Sequence, residues 1–272
     1  MKVYVSADME GVAGVVDWDQ CRVGAPGQQD GARLLLGEVN AAVEGAVAAG
    51  AADVVVNDAH GLMANLAPDL LAGHAAYLSG RHKPDYMMQG LDASFDAVLY
   101  VGYHGSMPSA SVLSHTYNPR VVSDARIGGV RAGESGINAL AAAGHGVPVA
   151  LVTGDQVVGP EAEPFCPGIR TVVVKESLSR EAALSLHPEV ARDLVRAGTT
   201  AALQDVGRLD PPVVRGPLEV DVLTADMAVQ AACVRGVERA AERTVVIDTS
   251  DPLATYRSFV AVIAITRALG SA

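Results

Sequence analysis

Lys2-Val3-Tyr4-Val5-Ser6-Ala7, running into Asp8-Met9-Glu10-Gly11, is the stretch that decides the fold. A short β-rich run ends abruptly in two carboxylates and a glycine. That is the pattern of a buried strand delivering polar groups at its carboxyl end. The pattern recurs. Asp53–Asn57 (DVVVN) is apolar on both faces, as a parallel strand covered on both sides must be, and runs into Asp58-Ala59-His60-Gly61. Asp96–Gly102 (DAVLYVG) runs into Tyr103-His104-Gly105. Between the first two, Asp30–Ala49 carries Leu34, Leu35, Val39, Ala42, Val43 and Val47 at helical spacing and stops at Gly50. Further on, Glu134–Ala143 reads as a helix entered through Gly133. Val147–Thr153 and Thr171–Val174 read as strands, and Arg120–Ile127 as an edge strand or ribbon. Strand, helix, strand in this rhythm predicts an α/β fold with a mostly parallel sheet and covering helices.

The rhythm changes at Gly207–Pro217, which holds three prolines and two glycines in eleven positions. After it come a strand at Leu218–Leu223, a helix at Asp226–Cys233, strand material at Thr244–Asp248 and a last helix from Pro252, capped by Asp251. The expected organisation is a catalytic α/β domain over residues 1–190 and a smaller C-terminal α+β domain over 191–272.

Composition narrows the function classes. The chain has 272 residues, half of them hydrophobic but only 4% aromatic, and a net charge of −11. The core is therefore built from Ala, Val, Leu and Ile, and disorder is excluded. An acidic surface repels phosphates, which argues against a nucleic-acid partner. No apolar run approaches the ~20 residues a bilayer requires, so no membrane partner is expected. Acidic residues at 8 and 10 fall where a secretory leader would still be apolar. Cys21, Cys166 and Cys233 form no disulfide or metal spacing, and a cytoplasmic location is expected.

Four polar clusters stand at strand ends or a helix start: Asp8/Glu10, Asp58/His60, His104, and Glu134. In an open parallel sheet the carboxyl ends share one edge, and ligands bind in the crevice there. Two imidazoles and three or four carboxylates suit one or two borderline divalent ions such as Zn²⁺. Taken singly, each Asp could be a helix cap and each His a satisfied polar residue; it is their matched positions that point to a metal site. His115 follows soon after, and is either a structural histidine or, beside a metal, a nucleophile or general base. His74, His145 and His187 suit helix ends and turns. His82 lies in the basic run Ser79-Gly80-Arg81-His82-Lys83-Pro84, a solvated loop or a patch for an acidic substrate group. A dinucleotide fingerprint, a P-loop, a nucleophile elbow and a His-Glu-x-x-His helix are all absent.

The joint pattern resembles the DppA family of D-aminopeptidases, bacterial zinc metallopeptidases. The matching residues are Ser6-x-Asp8-Met9-Glu10-Gly11, Val56-Asn57-Asp58-x-His60, Ser79-Gly80 with Lys83-Pro84, Gly90-Leu91-Asp92, Gly102-Tyr103-His104 and Ser114-His115. They continue through Gly133-Glu134-x-Gly136-x-Asn138-Ala139, Gly154-Asp155, Val174-Lys175 and Ser179-Arg180. The tail after Gly207 carries little of the pattern. The resemblance implies two zinc ions per subunit, with Asp8 bridging, Glu10 and His104 completing one site and His60 and Glu134 the other. It makes His115 the catalytic residue and implies a ring-shaped homo-oligomer. The loop Gly14–Gly31, with the single Trp18, and the segment Tyr117–Asp124 depart from the pattern and are expected to line the substrate pocket. Lys175 and Arg180 are candidates to bind a substrate carboxylate or to form structural ion pairs, and Asp58 to hold a ligand imidazole. The expected activity is that of a metal-dependent aminopeptidase on short peptides, with D-residue N-termini among those implied. The alternatives are another metal-dependent amidohydrolase and a non-catalytic metal- or peptide-binding protein.

Overall fold

The computed structural model describes residues 1–248 and 250–271. In chain order the strands are β1 (Lys2–Ala7), β2 (Asp53–Asp58), β3 (Ala75–Leu78), β4 (Ala97–Tyr103), β5 (Val122–Ile127), β6 (Val130–Arg131), β7 (Val149–Asp155), β8 (Arg170–Ser179), β9 (Ala182–Ser185), β10 (Leu218–Val222), β11 (Val237–Arg239) and β12 (Thr244–Ile247). The helices are α1 (Trp18–Cys21), α2 (Gln28–Ala48), α3 (Glu134–His145), α4 (Val158–Ala162), α5 (Pro188–Gln204), α6 (Ala225–Ala231) and α7 (Pro252–Thr266).

Seven strands form one sheet in the order β3-β2-β1-β4-β7-β8-β9, parallel except for β9. The chain builds outward from β1 through β2 to β3, then crosses to the other side of β1 with β4 and continues to β7 and β8. The order therefore reverses between β1 and β4, and that switch point leaves a crevice at the carboxyl end of the central strand. The period-2 pattern of β1 sorts its side chains to two cores: Val3, Val5 and Ala7 face α2 and α5, while Tyr4 faces the opposite layer. α2 and α5 lie against each other through small residues; a Cβ on Gly45 would sit 2.5 Å from the Arg196 carbonyl oxygen. The opposite layer holds α3, α7 and a second, antiparallel sheet in the order β11-β12-β10-β5-β6.

This second sheet departs from the sequence reading in two respects. Residues 122–127 are not an edge: β5 is flanked by β10 on one side and β6 on the other, because Val122, Ala125 and Ile127 are needed in the core. It also draws on residues 122–131 as well as the tail, and position 190 falls inside α5, which covers the first sheet together with α2. Asp251 caps α7 by accepting from the Ala254 N–H, as its position before Pro252 predicts.

The switch point is held by close backbone approach. The Gly11 N–H donates to the Gly102 carbonyl at 2.8 Å, and a Cβ on Gly11 would lie 1.7 Å from the Tyr103 carbonyl oxygen. Gly102 has φ +74°, and its own Cβ would lie 2.1 Å from the Asp8 carbonyl oxygen. The ends of β1 and β4 thus fit together only as glycines. Gly11→Ala is expected to cost at least about 2 kcal/mol of unfolding free energy, because no flexible side chain can yield to it. Urea denaturation checks this; an unchanged midpoint would contradict the packing.

Candidate metal centre

Each of the three strands around the switch point delivers a ligand-type residue just past its end. Asp8 and Glu10 follow β1, His60 follows β2 and His104 follows β4. Glu134 is the first residue of α3, so a helix N-terminus adds to the same crevice. Asp8, Glu10, His60, His104, His115 and Glu134 are all buried. Their donor atoms fall into groups whose members lie within 4.8 Å of one another: Glu10, His104 and His115; Asp8, His104 and Glu134; and Glu10 and His60 with the thiol of Cys21.

Every histidine in the centre is oriented by a backbone carbonyl. His60 Nε2 donates to the Cys21 carbonyl (2.7 Å), His104 Nδ1 to that of Gly105 (2.9 Å) and His115 Nδ1 to that of Leu113 (3.0 Å). Such anchoring fixes the ring and turns its second nitrogen into the crevice. His60 Nδ1 then stands 3.1 Å from Asp8 Oδ1 and 3.0 Å from Glu10 Oε2. His104 Nε2 stands 3.4 Å from Asp8 Oδ2 and 3.6 Å from Glu134 Oε2. The two oxygens of Asp8 therefore address two different histidines. Glu10 lies within reach of both His60 and His104, and Glu134 within reach of His104 and His115. β2 and β4 lie on opposite sides of β1, so His60 and His104 approach Asp8 from opposite sides.

The electrostatics are those of an ion site. Burial alone would raise the Asp8 carboxyl, but His104 and His60 hold it well below its ordinary range. Glu10 is lowered in the same way, burial being overcome chiefly by the charge of His60. Burial alone would lower both imidazoles. The charge of Glu10 with the Asp8 hydrogen bond raises His60 well above its usual value, and the charge of Glu134 with the Asp8 hydrogen bond does the same for His104. Even so, Asp8 Oδ2, Glu10 Oε2 and His104 Nε2 are buried without a well-formed hydrogen bond. Buried donors and acceptors of this kind carry a cost unless something binds them, and the N/O set suits a borderline divalent cation.

His115 stacks on His104 with ring centroids 4.3 Å apart and contacts Trp18 edge-on at 5.4 Å. Its Nε2 lies 3.6 Å from Glu134 Oε1, which also accepts the Tyr117 N–H at 2.7 Å. A cavity of about 280 Å³ opens over these groups, lined also by Trp18, Cys21, Arg22 and Tyr117–Arg120. The two segments that depart from the family pattern thus form its wall.

Three residues with expected site roles act elsewhere. Asp58 does not reach an imidazole. Its carboxylate accepts the backbone N–H groups of Asn65 and Leu66 and the Asn65 amide, which in turn donates to the His60 carbonyl, so Asp58 shapes the His60 loop. Lys175 is 2% exposed and out of reach of substrate. Its ammonium donates to the carbonyls of Glu10, Val12 and Val15, clamping the loop that carries Glu10; burial pushes its pKa down to about 8. Glu38, raised by burial to about 7, accepts the Ala13 N–H of the same loop. Arg180 donates to the Ser114 carbonyl behind His115 and does not line the cavity. Sequence reading missed Glu38, the one charged residue on the buried face of α2, and Cys21, whose carbonyl orients His60.

A D-aminopeptidase of Bacillus subtilis (strain 168) is 33% identical over 269 residues, 95% of either chain. The solved structure of the Zn-dependent D-aminopeptidase DppA from Bacillus subtilis, described as a self-compartmentalizing protease, superposes with a TM-score of 0.92 at 32% identity and covers 98% of both chains. The model of peptidase family M55, D-aminopeptidase, matches residues 1–261, and the chain belongs to that family.

Proposed function

We propose that this protein is a zinc-dependent aminopeptidase that removes the N-terminal residue of short peptides, D-residues among them. The observation that supports it most is the Asp8 carboxylate, whose Oδ1 faces His60 and Oδ2 faces His104. Such a carboxylate suits two ions per subunit. Glu10 and His104 would complete one site, His60 and Glu134 the other. The buried, unbonded Asp8 Oδ2, Glu10 Oε2 and His104 Nε2 fit that role.

When bound, zinc acts as a Lewis acid that polarises the scissile carbonyl and acidifies water. The chain's own groups do the rest. Glu10 and Glu134 would hold the ions that receive the free α-amine, which favours an exopeptidase. His115 supplies an imidazole that can move a proton. Its Nδ1–H is fixed on the Leu113 carbonyl, so the Nε2 lone pair faces the cavity as base or nucleophile, and a proton gained there can pass to the leaving amine. Trp18 and His104 sandwich the ring and hold that orientation.

Among the described residues no helix is long and apolar enough to cross a membrane. The three cysteines are unpaired, which supports a cytoplasmic location. Likeness to a self-compartmentalizing relative supports assembly into a ring-shaped homo-oligomer.

His115→Ala is expected to retain zinc and fold yet lose about a hundredfold or more in kcat, the range of general acid–base participation. His104→Ala is expected to lose zinc and activity together. Elemental analysis alongside peptide hydrolysis decides between them, and a zinc-free His115→Ala protein would make His115 a ligand.

Zinc binding should also expel protons. In the metal-free protein the neighbouring carboxylates hold His60 and His104 well above their usual value against burial, which favours protons on the crevice nitrogens. Zinc competes with those protons, and affinity therefore rises with pH. Calorimetric zinc titration in buffers of different ionisation enthalpy at pH 7 should show net proton release. Release of none would contradict the electrostatics described above.

A further inference from the structure

The basic run at residues 79–84 is not used by the metal chemistry, yet it does not lie idle in solvent. Arg81, His82, Lys83 and Pro84 border a second cavity of about 410 Å³. This cavity adjoins the first: Gly61, Tyr86, Tyr117 and Asn118 line both. Tyr86 and Tyr117 stack with ring centroids 5.5 Å apart, so an aromatic pair forms part of the shared boundary.

The two chambers are lined by different groups. Asp8, Glu10 and Glu134, the expected metal ligands, line the first. Every ionisable wall residue of the second other than Tyr86 and Tyr117 is a base: Arg81, His82, Lys83, Arg257 and Arg267. In a chain of net charge −11 this is a marked local reversal. Lys83 and Arg257 are already committed. Lys83 donates to Asn57 Oδ1 and to the carbonyls of Asp58 and Leu78, and Arg257 is held by Asp85. The guanidinium of Arg81 makes no hydrogen bond or ion pair among the described residues. Across the cavity α7 presents an apolar wall that includes Val260, Ala261 and Ile263.

A short peptide is a zwitterion with its charges a few residues apart, and extended chain spans about 3.3–3.6 Å per residue. With the N-terminal end at the metal centre, the basic chamber beside it matches the carboxylate end. Guanidinium is the side chain best suited to a carboxylate, because its forked donors bind both oxygens. We propose that the second cavity receives the C-terminal part of the substrate, with Arg81 binding the free α-carboxylate of a di- or tripeptide and the α7 wall taking an apolar side chain. This rests on the aminopeptidase reading and narrows it to short peptides with a free C-terminus.

The test uses the zinc-loaded protein and a matched pair of substrates, a tripeptide with an apolar C-terminal residue and the same tripeptide as its C-terminal amide. The wild type should hydrolyse the free acid with a kcat/KM on the order of tenfold or more above the amide, expressed mainly in KM, as for a charge-assisted hydrogen bond. Arg81→Gln should bring the ratio close to one, and Arg81→Lys should restore part of it. A wild-type ratio near one, or a ratio that persists in Arg81→Gln, overturns the subsite. So does an Arg81→Gln protein that melts early or changes its light-scattering mass, which would make Arg81 structural. If the wild type cleaves neither peptide, the aminopeptidase reading fails. Calorimetric binding of the same pair to wild type and Arg81→Gln then judges the subsite separately: an Arg81-dependent preference for the acid supports it, and equal binding overturns it.

Discussion

The carboxylate of Asp8 at the end of the central strand is the group on which the rest of the molecule depends. It lies where the strand order reverses, with β2 on one side and β4 on the other, and each neighbour contributes a histidine to one of its oxygens. This geometry requires the loops after β1 and β4 to pass within hydrogen-bonding distance of each other, which the glycines at 11 and 102 allow. A buried carboxylate between two imidazoles is costly in isolation and favourable once the charges are matched. The same arrangement that strains the apo crevice therefore prepares it for a cation.

Support for this centre comes from behind. A buried ammonium at Lys175 ties three carbonyls of residues 10–15 together, and Glu38 on α2 takes an N–H of the same loop. Backbone groups that a regular strand or helix would have satisfied are satisfied here by two charged side chains. The loop is thus rigid without secondary structure, and Glu10 is aimed by it. Asp58 and Arg180 play comparable parts for the His60 loop and for the segment before His115. The metal centre therefore rests on a layer of side chains that never meet substrate.

Much of this was legible in the sequence because it is local. A β-rich run followed at once by Asp-x-Glu, Asp-x-His or Tyr-His marks a parallel strand and the residue it delivers, and those positions meet at one sheet edge. What could not be read depends on distance. β5 pairs with β10, more than ninety residues away, and no local pattern announces that partnership or the mixed origin of the second sheet. The four-residue strand β3, Ala75–Leu78, is too short and alanine-rich to stand out. That His60 and His104 reach Asp8 from opposite sides follows from the side of β1 on which each strand lies, a tertiary fact. Lys175 and Arg180 match the family by residue type, but only their hydrogen bonds in the fold show that they serve backbone carbonyls.

The central claim is that one carboxylate serves two ions. It is tested most directly by counting zinc bound to Asp8→Ala protein, by elemental analysis after exhaustive dialysis, beside wild type treated identically and shown to be folded by circular dichroism. A bridging Asp8 predicts close to two equivalents per chain in the wild type and close to none in the variant. Two equivalents retained in Asp8→Ala would contradict it.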